Sequence, residues 1–237
     1  MNIIIIGATS GIGKALFEKY ASDGNRIGII ARRTHLLEEL RNQHPTHTYT
    51  ATADITKRDE IEHAILFLHK ELGNIDLAIV CSGIGEINPS LDYDVECPTI
   101  ATNVTGWTFV VDTLYHIIEQ QGHGQLVAIT SVGGLRGEPM APAYSATKAY
   151  QIGYMEALRK KAFKAGDKIT VTDIRPGLVD TAMAKGNSLF WVMPVEKVAR
   201  QICFSIHRRK SKAYVTKRWH VLAIINKNLP FMLYKRM

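Results

Sequence analysis

A tyrosine and a lysine four residues apart are the pair in this chain whose types and spacing most clearly suggest chemistry. The stretch from Tyr144 to Lys148 (Tyr-Ser-Ala-Thr-Lys) predicts a helical turn, in which positions i and i+4 share one face. An ammonium group beside a phenol lowers the phenol's pKa from about 10. One charge about 4 Å away, at an effective dielectric constant of about 20, contributes about 4 kcal/mol, which suffices for a general acid near neutral pH. The pair therefore predicts an acid/base tyrosine activated by a lysine, although the same spacing occurs without function on many amphipathic helices.

A glycine-rich turn follows the first predicted strand. Residues 2–6 include four consecutive isoleucines, which favours a buried parallel strand, and a helical pattern begins at Lys14. Gly7, Gly11 and Gly13 lie between the two. Glycines let the backbone turn tightly and approach a ligand, while unpaired N–H groups at a helix start face an anion. The turn predicts a phosphate-binding site, with a plain strand-to-helix connection as the alternative.

Two arginines follow the second predicted strand, residues 26–31. In dinucleotide-binding folds an acidic residue near this strand end holds the ribose 2′-hydroxyl, whereas an arginine accommodates a 2′-phosphate. Arg32 and Arg33 stand where the acid would be, which favours NADP(H) over NAD(H). A solvated basic start of the next helix is the alternative.

Strand and helix patterns alternate along the whole chain. The predicted strands are residues 2–6, 26–31, 49–52, 75–80, 125–130, 168–175 and 213–216, and the predicted helices are 14–20, 34–43, 57–72, 99–121, 143–165 and 194–207. This alternation predicts an α/β fold with a parallel sheet covered by helices on both faces. A chain of 237 residues suits one domain, so we expect residues 1–237 to form it.

The order and spacing of six features resemble the short-chain dehydrogenase/reductase family, over nearly the whole chain. They are the Gly7/Gly11/Gly13 turn, Asp54, Asn103, Ser131, Tyr144 with Lys148, and Pro176-Gly177 followed by Thr181. The resemblance implies a Rossmann-type, doubly wound parallel sheet of about seven strands in the order 3-2-1-4-5-6-7, arranged in three αβα layers. A nicotinamide nucleotide would bind at the C-terminal edge of the strands, where the topological switch point also places a ligand.

The resemblance also implies catalytic roles for four residues. Tyr144 would donate a proton to a carbonyl oxygen, or accept one from an alcohol, and Lys148 would lower its pKa and bind the nicotinamide ribose. Ser131 would hold the substrate oxygen, and Asn103 would hold a water that links Lys148 to solvent. Such donors can receive the negative charge that hydride transfer builds on oxygen.

A larger set of residues is expected to bind the cofactor. By resemblance, Asp54 would contact the adenine and Thr181 the carboxamide. The complete predicted set is Gly7, Thr9, Ser10, Gly11, Ile12, Gly13, Arg32, Arg33, Asp54, Ile55, Ser82, Gly83, Asn103, Tyr144, Lys148, Pro176, Gly177, Val179 and Thr181. One departure from the family is the sequence Cys81-Ser82-Gly83 where Asn-Asn-Ala-Gly or similar is frequent. Gly83 keeps close backbone approach available, and Cys81 is expected to serve packing rather than redox chemistry.

Two further segments bear on the substrate. By resemblance, residues 182–195 form a lid whose apolar run, residues 189–193, either closes on a hydrophobic substrate or packs on the body or a neighbouring subunit. Leu135 and Met140 could line the opposite wall, which gives a weak preference for an apolar carbonyl compound. Residues 218–237 alternate large apolar residues with lysine and arginine. We expect this tail to cover the cleft or an oligomer interface; peripheral membrane contact and, least favoured, nucleic-acid binding are the alternatives.

The composition and the distribution of charge narrow the kinds of site, location and function that the sequence allows. Residues 197–237 hold 11 Lys and Arg and no acidic residue, whereas residues 1–196 hold 18 Lys and Arg against 22 Asp and Glu. Three widely spaced cysteines and no metal-ligand spacing indicate neither disulfides nor a metal site, and no membrane-spanning run or signal peptide is present. We expect a cytoplasmic protein, with the inner membrane surface as an alternative location, and by family analogy a homodimer or homotetramer. An NADP(H)-dependent oxidoreductase is the leading function; a non-catalytic NADP(H) sensor and a membrane-associated reductase of a lipid-type ketone are the alternatives.

Overall fold

A seven-stranded sheet lies at the centre of the molecule. The computed structural model describes residues 1–164, 166, 168–183 and 190–236. The strands are β1 (Asn2–Ile6), β2 (Arg26–Ala31), β3 (Thr48–Thr52), β4 (Leu77–Val80), β5 (Gly124–Ile129), β6 (Ile169–Pro176) and β7 (Lys212–Val215). Neighbouring strands are parallel throughout, in the order β3-β2-β1-β4-β5-β6-β7. This confirms the predicted sheet and its strand order.

Helices flank the sheet on both faces. They are α1 (Gly11–Ser22), α2 (Thr34–Gln43), α3 (Arg58–Leu72), α4 (Tyr93–Ile100), α5 (Trp107–Gln121), α6 (Pro142–Lys164), α7 (Val195–His207), α8 (Lys217–Asn228) and α9 (Phe231–Tyr234). Short 3₁₀ and π-helical turns cover Val132–Leu135 and Ala101–Gly106. In the part of the chain that the structure describes, no helix combines the length and hydropathy needed to cross a bilayer.

The region predicted as one helix over residues 99–121 is longer and interrupted. Helix α4 precedes it and begins at Tyr93, and the side chain of the preceding Asp92 accepts a hydrogen bond from the Asp94 amide and so caps the helix. Pro98 lies inside α4, and because proline disfavours a helix interior the sequence pattern did not predict this element. The π-helical turn then carries Asn103 between α4 and α5. Such turns are frequent at functional sites.

The hydrophobic core has two parts, one on each face of the sheet. Ile4 and Ile6 of β1 pack with α3, α5 and α6, whereas Ile3 and Ile5 pack with α1, α2 and α7. All four isoleucines are fully buried. Because successive side chains of a strand point to opposite faces, an uninterrupted apolar strand is what a sheet covered on both sides requires.

The sheet brings the predicted site residues to one edge. β1 pairs with β2 on one side and β4 on the other, so the direction in which the strands are added reverses at β1. The loops that follow the C-terminal ends of β1, β4, β5 and β6 therefore meet at the switch point, where open α/β sheets bind ligands.

Candidate functional site

The glycine-rich turn after β1 is closely packed. Gly7 has φ +87°, and a Cβ there would lie 2.9 Å from the Ser82 backbone nitrogen. A Cβ on Gly13 would lie 2.1 Å from the Gly7 carbonyl oxygen. Gly11 has φ +52° and abuts the Thr181 side chain, where a Cβ would lie 3.1 Å from Cγ2. Each glycine is thus required by conformation, by contact or by both, as the sequence predicts for a turn approached closely by a ligand.

The start of α1 is open towards the same edge. Ser10 precedes the helix, is exposed, and its side chain makes no capping hydrogen bond. The first-turn N–H groups of an α-helix have no acceptor within the helix and attract anions. Thr9 is buried and its hydroxyl accepts a hydrogen bond from the Arg33 guanidinium at 3.0 Å, while Ile12 packs against the core. The turn and the second predicted arginine are therefore in direct contact.

Arg32 and Asp54 form the outer end of this region. The Arg32 guanidinium lies 3.8 Å from the Asp54 carboxylate, and about two thirds of the arginine side chain is exposed. Asp54 also accepts hydrogen bonds from the Thr56 amide at 2.9 Å and hydroxyl at 2.8 Å. Burial raises the pKa of Asp54, but these hydrogen bonds and Arg32 outweigh it, so that the pKa is lowered and the group stays ionised.

Asn103 occupies a fully buried position in the π-helical turn. Its side-chain amide donates to the Ile84 carbonyl at 2.7 Å and to the Thr147 hydroxyl at 3.1 Å, and its side-chain oxygen accepts from the Ile84 amide at 2.9 Å. These partners explain an asparagine inside a helical region. Gly106, at the end of the turn, packs on Ile55, because a Cβ there would lie 2.4 Å from the Ile55 carbonyl oxygen.

Ser131 and Tyr144 meet at the C-terminal edge of β5. The Ser131 side chain accepts a hydrogen bond from the Gly133 amide at 3.0 Å, and a Cβ on Gly133 would lie 3.3 Å from Ser131 Oγ and 3.5 Å from Tyr144 Cε1. Gly85 lies flat against the tyrosine ring, where a Cβ would be 2.4 Å from Tyr144 Cδ2. The ring is thus held in place by a glycine that the sequence reasoning did not single out.

The pKa of Tyr144 differs from the sequence-based expectation. Burial raises the pKa of Tyr144 and outweighs the hydrogen bond from Ser131, so the pKa lies above its usual value rather than below it. The Lys148 Nζ atom lies 5.9 Å from the centre of the tyrosine ring, farther than the separation of about 4 Å assumed for direct activation. Burial therefore outweighs any stabilisation of the tyrosinate by Lys148, and the pKa of Tyr144 is raised where the sequence-based expectation had it lowered.

The Lys148 side chain instead faces the buried side-chain amide of Gln151. Its Nζ atom donates to the Gln151 side-chain oxygen at 2.9 Å and to the Ile129 carbonyl at 3.2 Å. The Gln151 side-chain nitrogen donates in turn to the Asn103 carbonyl at 2.9 Å. Burial lowers the pKa of Lys148 to about 8, against the opposing effects of Cys81 and Asp173. Gln151 is fully buried and joins two predicted catalytic residues, although no sequence motif pointed to it.

The segment after β4 closes the inner wall of the site. A Cβ on Gly83 would lie 3.3 Å from both the Asn103 side-chain oxygen and Lys148 Nζ. Ser82 contacts Gly7, so this segment joins the glycine turn to the predicted catalytic residues. Burial raises the pKa of the Cys81 thiol to about 12, with Lys148 opposing. A thiol that stays protonated is a poor nucleophile, which supports packing as the role of Cys81.

The segment after β6 forms the opposite wall. Pro176 ends β6, and the Gly177 amide donates to the Val215 carbonyl at 2.8 Å. Val179 is buried and bridges to Met193, so both ends of the intervening loop are fixed to each other. The lid predicted at residues 182–195 spans this loop; residues 184–189, and with them the first residue of the apolar run, lie outside the described residues.

Trp219 is another residue whose place beside the site no sequence motif indicated. Its indole ring lies on Gly177, where a Cβ would be 2.1 Å from the ring. Its Nε1 atom donates to the Trp191 carbonyl at 3.4 Å, and Trp191 stacks on Phe190 with ring centroids 4.4 Å apart. Helix α8 thus packs beside the predicted cofactor-binding segment and contacts the C-terminal end of the predicted lid.

A cavity of about 750 Å³ lies at the opposite, N-terminal edge of the sheet. Its lining includes Met1, Tyr20, His123 and His207, and none of the predicted site residues. Among the described residues, no three His, Cys, Asp or Glu side chains are grouped so that they could hold a metal. The C-terminal edge, rather than this cavity, therefore carries the groups suited to nucleotide binding and proton transfer.

Comparison with known proteins gives one consistent result. The family model described as short chain dehydrogenase matches residues 1–189. An uncharacterized oxidoreductase of Mycobacterium tuberculosis is 31% identical over 222 residues, which cover 90% of this chain and 87% of the relative. An uncharacterized oxidoreductase of Staphylococcus epidermidis is 30% identical over 185 residues, covering 77% and 80%. The closed form of a serine dehydrogenase complexed with NADP⁺ aligns with a TM-score of 0.82 at 24% identity, over 91% of this chain and 94% of that one. With its strand order and the arrangement of its site, this chain belongs to the short-chain dehydrogenase/reductase family of oxidoreductases.

Proposed function

We propose that this protein is an NADP(H)-dependent oxidoreductase that transfers hydride from NADPH to the carbonyl group of an apolar compound, or from the corresponding alcohol to NADP⁺. The observation that carries the proposal is the convergence of the Ser131 and Tyr144 side chains, which both border Gly133 at the switch-point edge, with Lys148 buried behind them. Two hydroxyl groups that meet at one point can both bind a single substrate oxygen. A protein that only sensed the nucleotide would not need this arrangement.

The turn after β1 has the shape that a dinucleotide requires. Its three glycines allow the tight turn and the close packing against Ser82, Thr181 and the turn's own backbone, and the exposed start of α1 would provide N–H donors for a pyrophosphate. Thr181 lies against Gly11, so the segment after β6 borders the same groove. These residues fit the nicotinamide nucleotide that a family of this kind uses.

The preference for NADP(H) rests on the arginines after β2. Arg32 is largely exposed and only loosely paired with Asp54, and Arg33 reaches across to Thr9. A guanidinium group can bind phosphate through two parallel hydrogen bonds, and the additional phosphate of NADP(H) would find two such groups here. NADH offers only a 2′-hydroxyl at this position.

The residues of the site divide the chemistry of carbonyl reduction as follows. Bound NADPH would supply the hydride to the carbonyl carbon. Tyr144, whose pKa is raised, is protonated near neutral pH and can give its proton to the carbonyl oxygen, which becomes the alcohol oxygen. Ser131 donates a hydrogen bond to the same oxygen, and the Lys148 ammonium favours the tyrosinate that remains. Alcohol oxidation is the reverse, with Tyr144 accepting the proton.

An apolar substrate suits the walls of the cleft. Trp219 and Trp191 lie on the side of Gly177, and Met140 follows the turn that carries Ser131. Aromatic and aliphatic side chains around a few polar groups are typical of sites for small apolar ligands.

Fluorescence titration with NADPH and NADH tests the nucleotide assignment. We expect tighter binding of NADPH, weakened selectively by Arg32→Ala, because the variant loses a phosphate ligand but no contact to the rest of the nucleotide. Arg41→Ala removes an exposed arginine of α2 and should leave both affinities unchanged. Failure of the wild-type protein to bind either nucleotide would refute the proposal.

Turnover tests the catalytic assignment. NADPH oxidation should be measured across a panel of apolar ketones and aldehydes, and on the best substrate Tyr144→Phe should lower kcat about 10²- to 10⁴-fold. The affinity for NADPH should change little, because the ring remains. Intact turnover by Tyr144→Phe would overturn the assignment of the acid, and binding of NADPH without any turnover would favour the sensor.

A further inference from the structure

The C-terminal helices present an unusual exposed surface. We define the tail surface as Val221, Ile224, Ile225, Phe231, Met232 and Leu233, each of which is between 50% and 68% exposed. The first three share one side of α8, because residues three and four apart in a helix are neighbours. The last three form most of α9. Six large apolar side chains exposed within 13 positions of the chain are an exposed apolar surface of the kind that marks an interaction site.

The tail is nevertheless packed on the protein rather than free. Ala223 is buried, and Trp219 lies on Gly177, so one side of α8 faces the body. The Arg136 guanidinium donates to the Asn226 carbonyl at 2.8 Å and also to the Leu229 carbonyl, and lies 4.9 Å from the centre of the Tyr234 ring. The Tyr234 hydroxyl donates to the Gly137 carbonyl. With its inner side fixed in this way, the apolar outer side cannot be buried by rotation of the helix.

The charge of the tail has one sign. Arg218, Lys227, Lys235 and Arg236 flank the apolar residues, and residues 197–237 contain no Asp or Glu. A second copy of the chain would bring an equally cationic surface against this one, which like-charge repulsion disfavours. Nucleic acid would satisfy the cations but leave six apolar side chains facing phosphates and water. An anionic lipid bilayer satisfies both, because its headgroups attract the cations and its acyl boundary takes up the apolar side chains.

We propose that the tail surface docks this protein on anionic lipid membranes. Helix α8 would lie in the plane of the interface with Val221, Ile224 and Ile225 towards the acyl chains, and α9 would insert Phe231 beside it. Neither helix spans the bilayer, so the attachment is peripheral and sensitive to salt.

The tail surface lies near the mouth of the cleft, so docking would affect how a substrate reaches the site. Helix α8 borders the cleft through Trp219, and the loops after β4 and β5 at the same sheet edge expose Leu91 and Met140. These two loops are joined by a hydrogen bond from the Asn88 amide to the Met140 carbonyl at 2.8 Å. If the proposed function holds, docking would direct the mouth of the cleft towards the membrane, where an apolar carbonyl compound partitions.

Vesicle co-sedimentation of the full chain tests the docking without using activity. We expect binding to vesicles of phosphatidylglycerol and phosphatidylcholine, little binding to phosphatidylcholine alone, and release as salt rises. Lys235→Gln/Arg236→Gln should weaken binding roughly 25-fold, because each cation near an anionic surface contributes about fivefold. The matched control, Lys160→Gln/Lys164→Gln, removes two exposed charges from α6 and should bind within about twofold of wild type.

A second pair of variants tests the apolar contribution. Phe231→Ser/Met232→Ser removes side chains that are 68% and 59% exposed, and Phe163→Ser/Phe204→Ser removes side chains elsewhere that are 70% and 56% exposed. Only the first pair should weaken vesicle binding, by about tenfold or more. Circular dichroism should show both variants folded, since all four side chains project into solvent.

Four results would overturn the proposal. The first is absence of binding to anionic vesicles, and the second is equal loss of binding in the tail variants and their controls. The third is a wild-type dimer in sedimentation analysis that Phe231→Ser/Met232→Ser converts to monomer, which would assign the surface to a second copy. Displacement from vesicles by double-stranded DNA at equal charge concentration, with retention of DNA by Phe231→Ser/Met232→Ser, would assign it to nucleic acid. Because no readout involves turnover, failure of the proposed function would leave these results intact.

Discussion

Gln151 connects Lys148 and Asn103, two of the four predicted catalytic residues. Its side-chain oxygen accepts from Lys148 and its nitrogen donates to the Asn103 carbonyl, both at 2.9 Å. Only one orientation of the amide satisfies both partners, because an ammonium group cannot accept a hydrogen bond and a carbonyl cannot donate one. Burial lowers the pKa of Lys148 to about 8. By accepting a hydrogen bond from the ammonium group, the Gln151 amide opposes this effect and stabilises the charged form. A water held by Asn103, as the family resemblance implies, stays a prediction.

Replacement of Gln151 should change the pH dependence of carbonyl reduction. With Lys148 ionising near pH 8, kcat/KM should fall as pH rises through that value, because the neutral amine no longer stabilises the tyrosinate. This fall is the alkaline limb of the pH profile. Gln151→Leu removes a hydrogen bond to a charged group, worth about 1.5–3 kcal/mol, and should therefore shift the alkaline limb to a pH lower by about one unit or more. The measurement is a pH profile of NADPH-dependent reduction.

Gln151→Glu provides the opposite change at the same position. The carboxylate keeps the acceptor for Lys148, loses the donor to the Asn103 carbonyl and adds a negative charge, which raises the pKa of Lys148 and should move the alkaline limb upward. A merely structural role for Gln151 would lower the rate at every pH and leave the limb where it is. Equal displacement of the limb in both variants would contradict the role assigned to the amide.

At the scale of elements, the contact between Trp219 and Gly177 attaches α8 to the end of β6. A Cβ on Gly177 would lie 2.1 Å from the indole ring, so Gly177→Ala cannot be accommodated unless the tryptophan moves. We expect the variant to lose about 2 kcal/mol of unfolding free energy, as overpacking of a filled position usually costs 1–3 kcal/mol. Hydrogen exchange of the α8 amides should accelerate at the same time. Gly153→Ala, inside α6 with nothing within 4 Å of the added Cβ, is the control and should instead stabilise by up to about 1 kcal/mol through helix propensity.

A double-mutant cycle isolates that contact. In a Trp219→Ala background the ring is absent, so Gly177→Ala should then cost less than about 0.5 kcal/mol. The two substitutions are therefore expected to be strongly non-additive. Additive losses would mean that Gly177 is required for backbone reasons unrelated to α8. Chemical denaturation of the four proteins supplies the free energies.

The elements that could be predicted from sequence are those whose signals are local. The four isoleucines of β1, the glycines after it and the spacing of Tyr144 and Lys148 each lie within one short stretch, and the sheet order follows from the family they indicate. Helix α4 was missed because Pro98 lies inside it. Gln151 and Trp219 were missed because their roles depend on contacts with residues about 40 to 50 positions away, which periodicity and motif spacing cannot reveal.

At the scale of the whole molecule, the site is a source of instability that the core must offset. Lys148 is 4% exposed and its pKa is lowered to about 8, which means that folding is less favourable when the amine is charged. Between pH 8 and the unfolded pKa of about 10.4, the unfolded chain binds more protons than the folded one at this position. Stability due to this group therefore rises with pH across that window and is flat below it.

Comparison of Lys148→Met with the wild-type protein should reveal this linkage. The difference in unfolding free energy, wild type minus variant, should increase by about 3 kcal/mol between pH 7 and pH 10.5, because a shift of one pKa unit corresponds to about 1.4 kcal/mol. Effects of pH on all other groups cancel in the difference. Lys160→Met, at an exposed position of the same helix, should show no such trend. A difference for Lys148→Met that stayed constant over this range would mean that the buried ammonium is fully compensated by its partners, and the site would then impose no such cost on the fold.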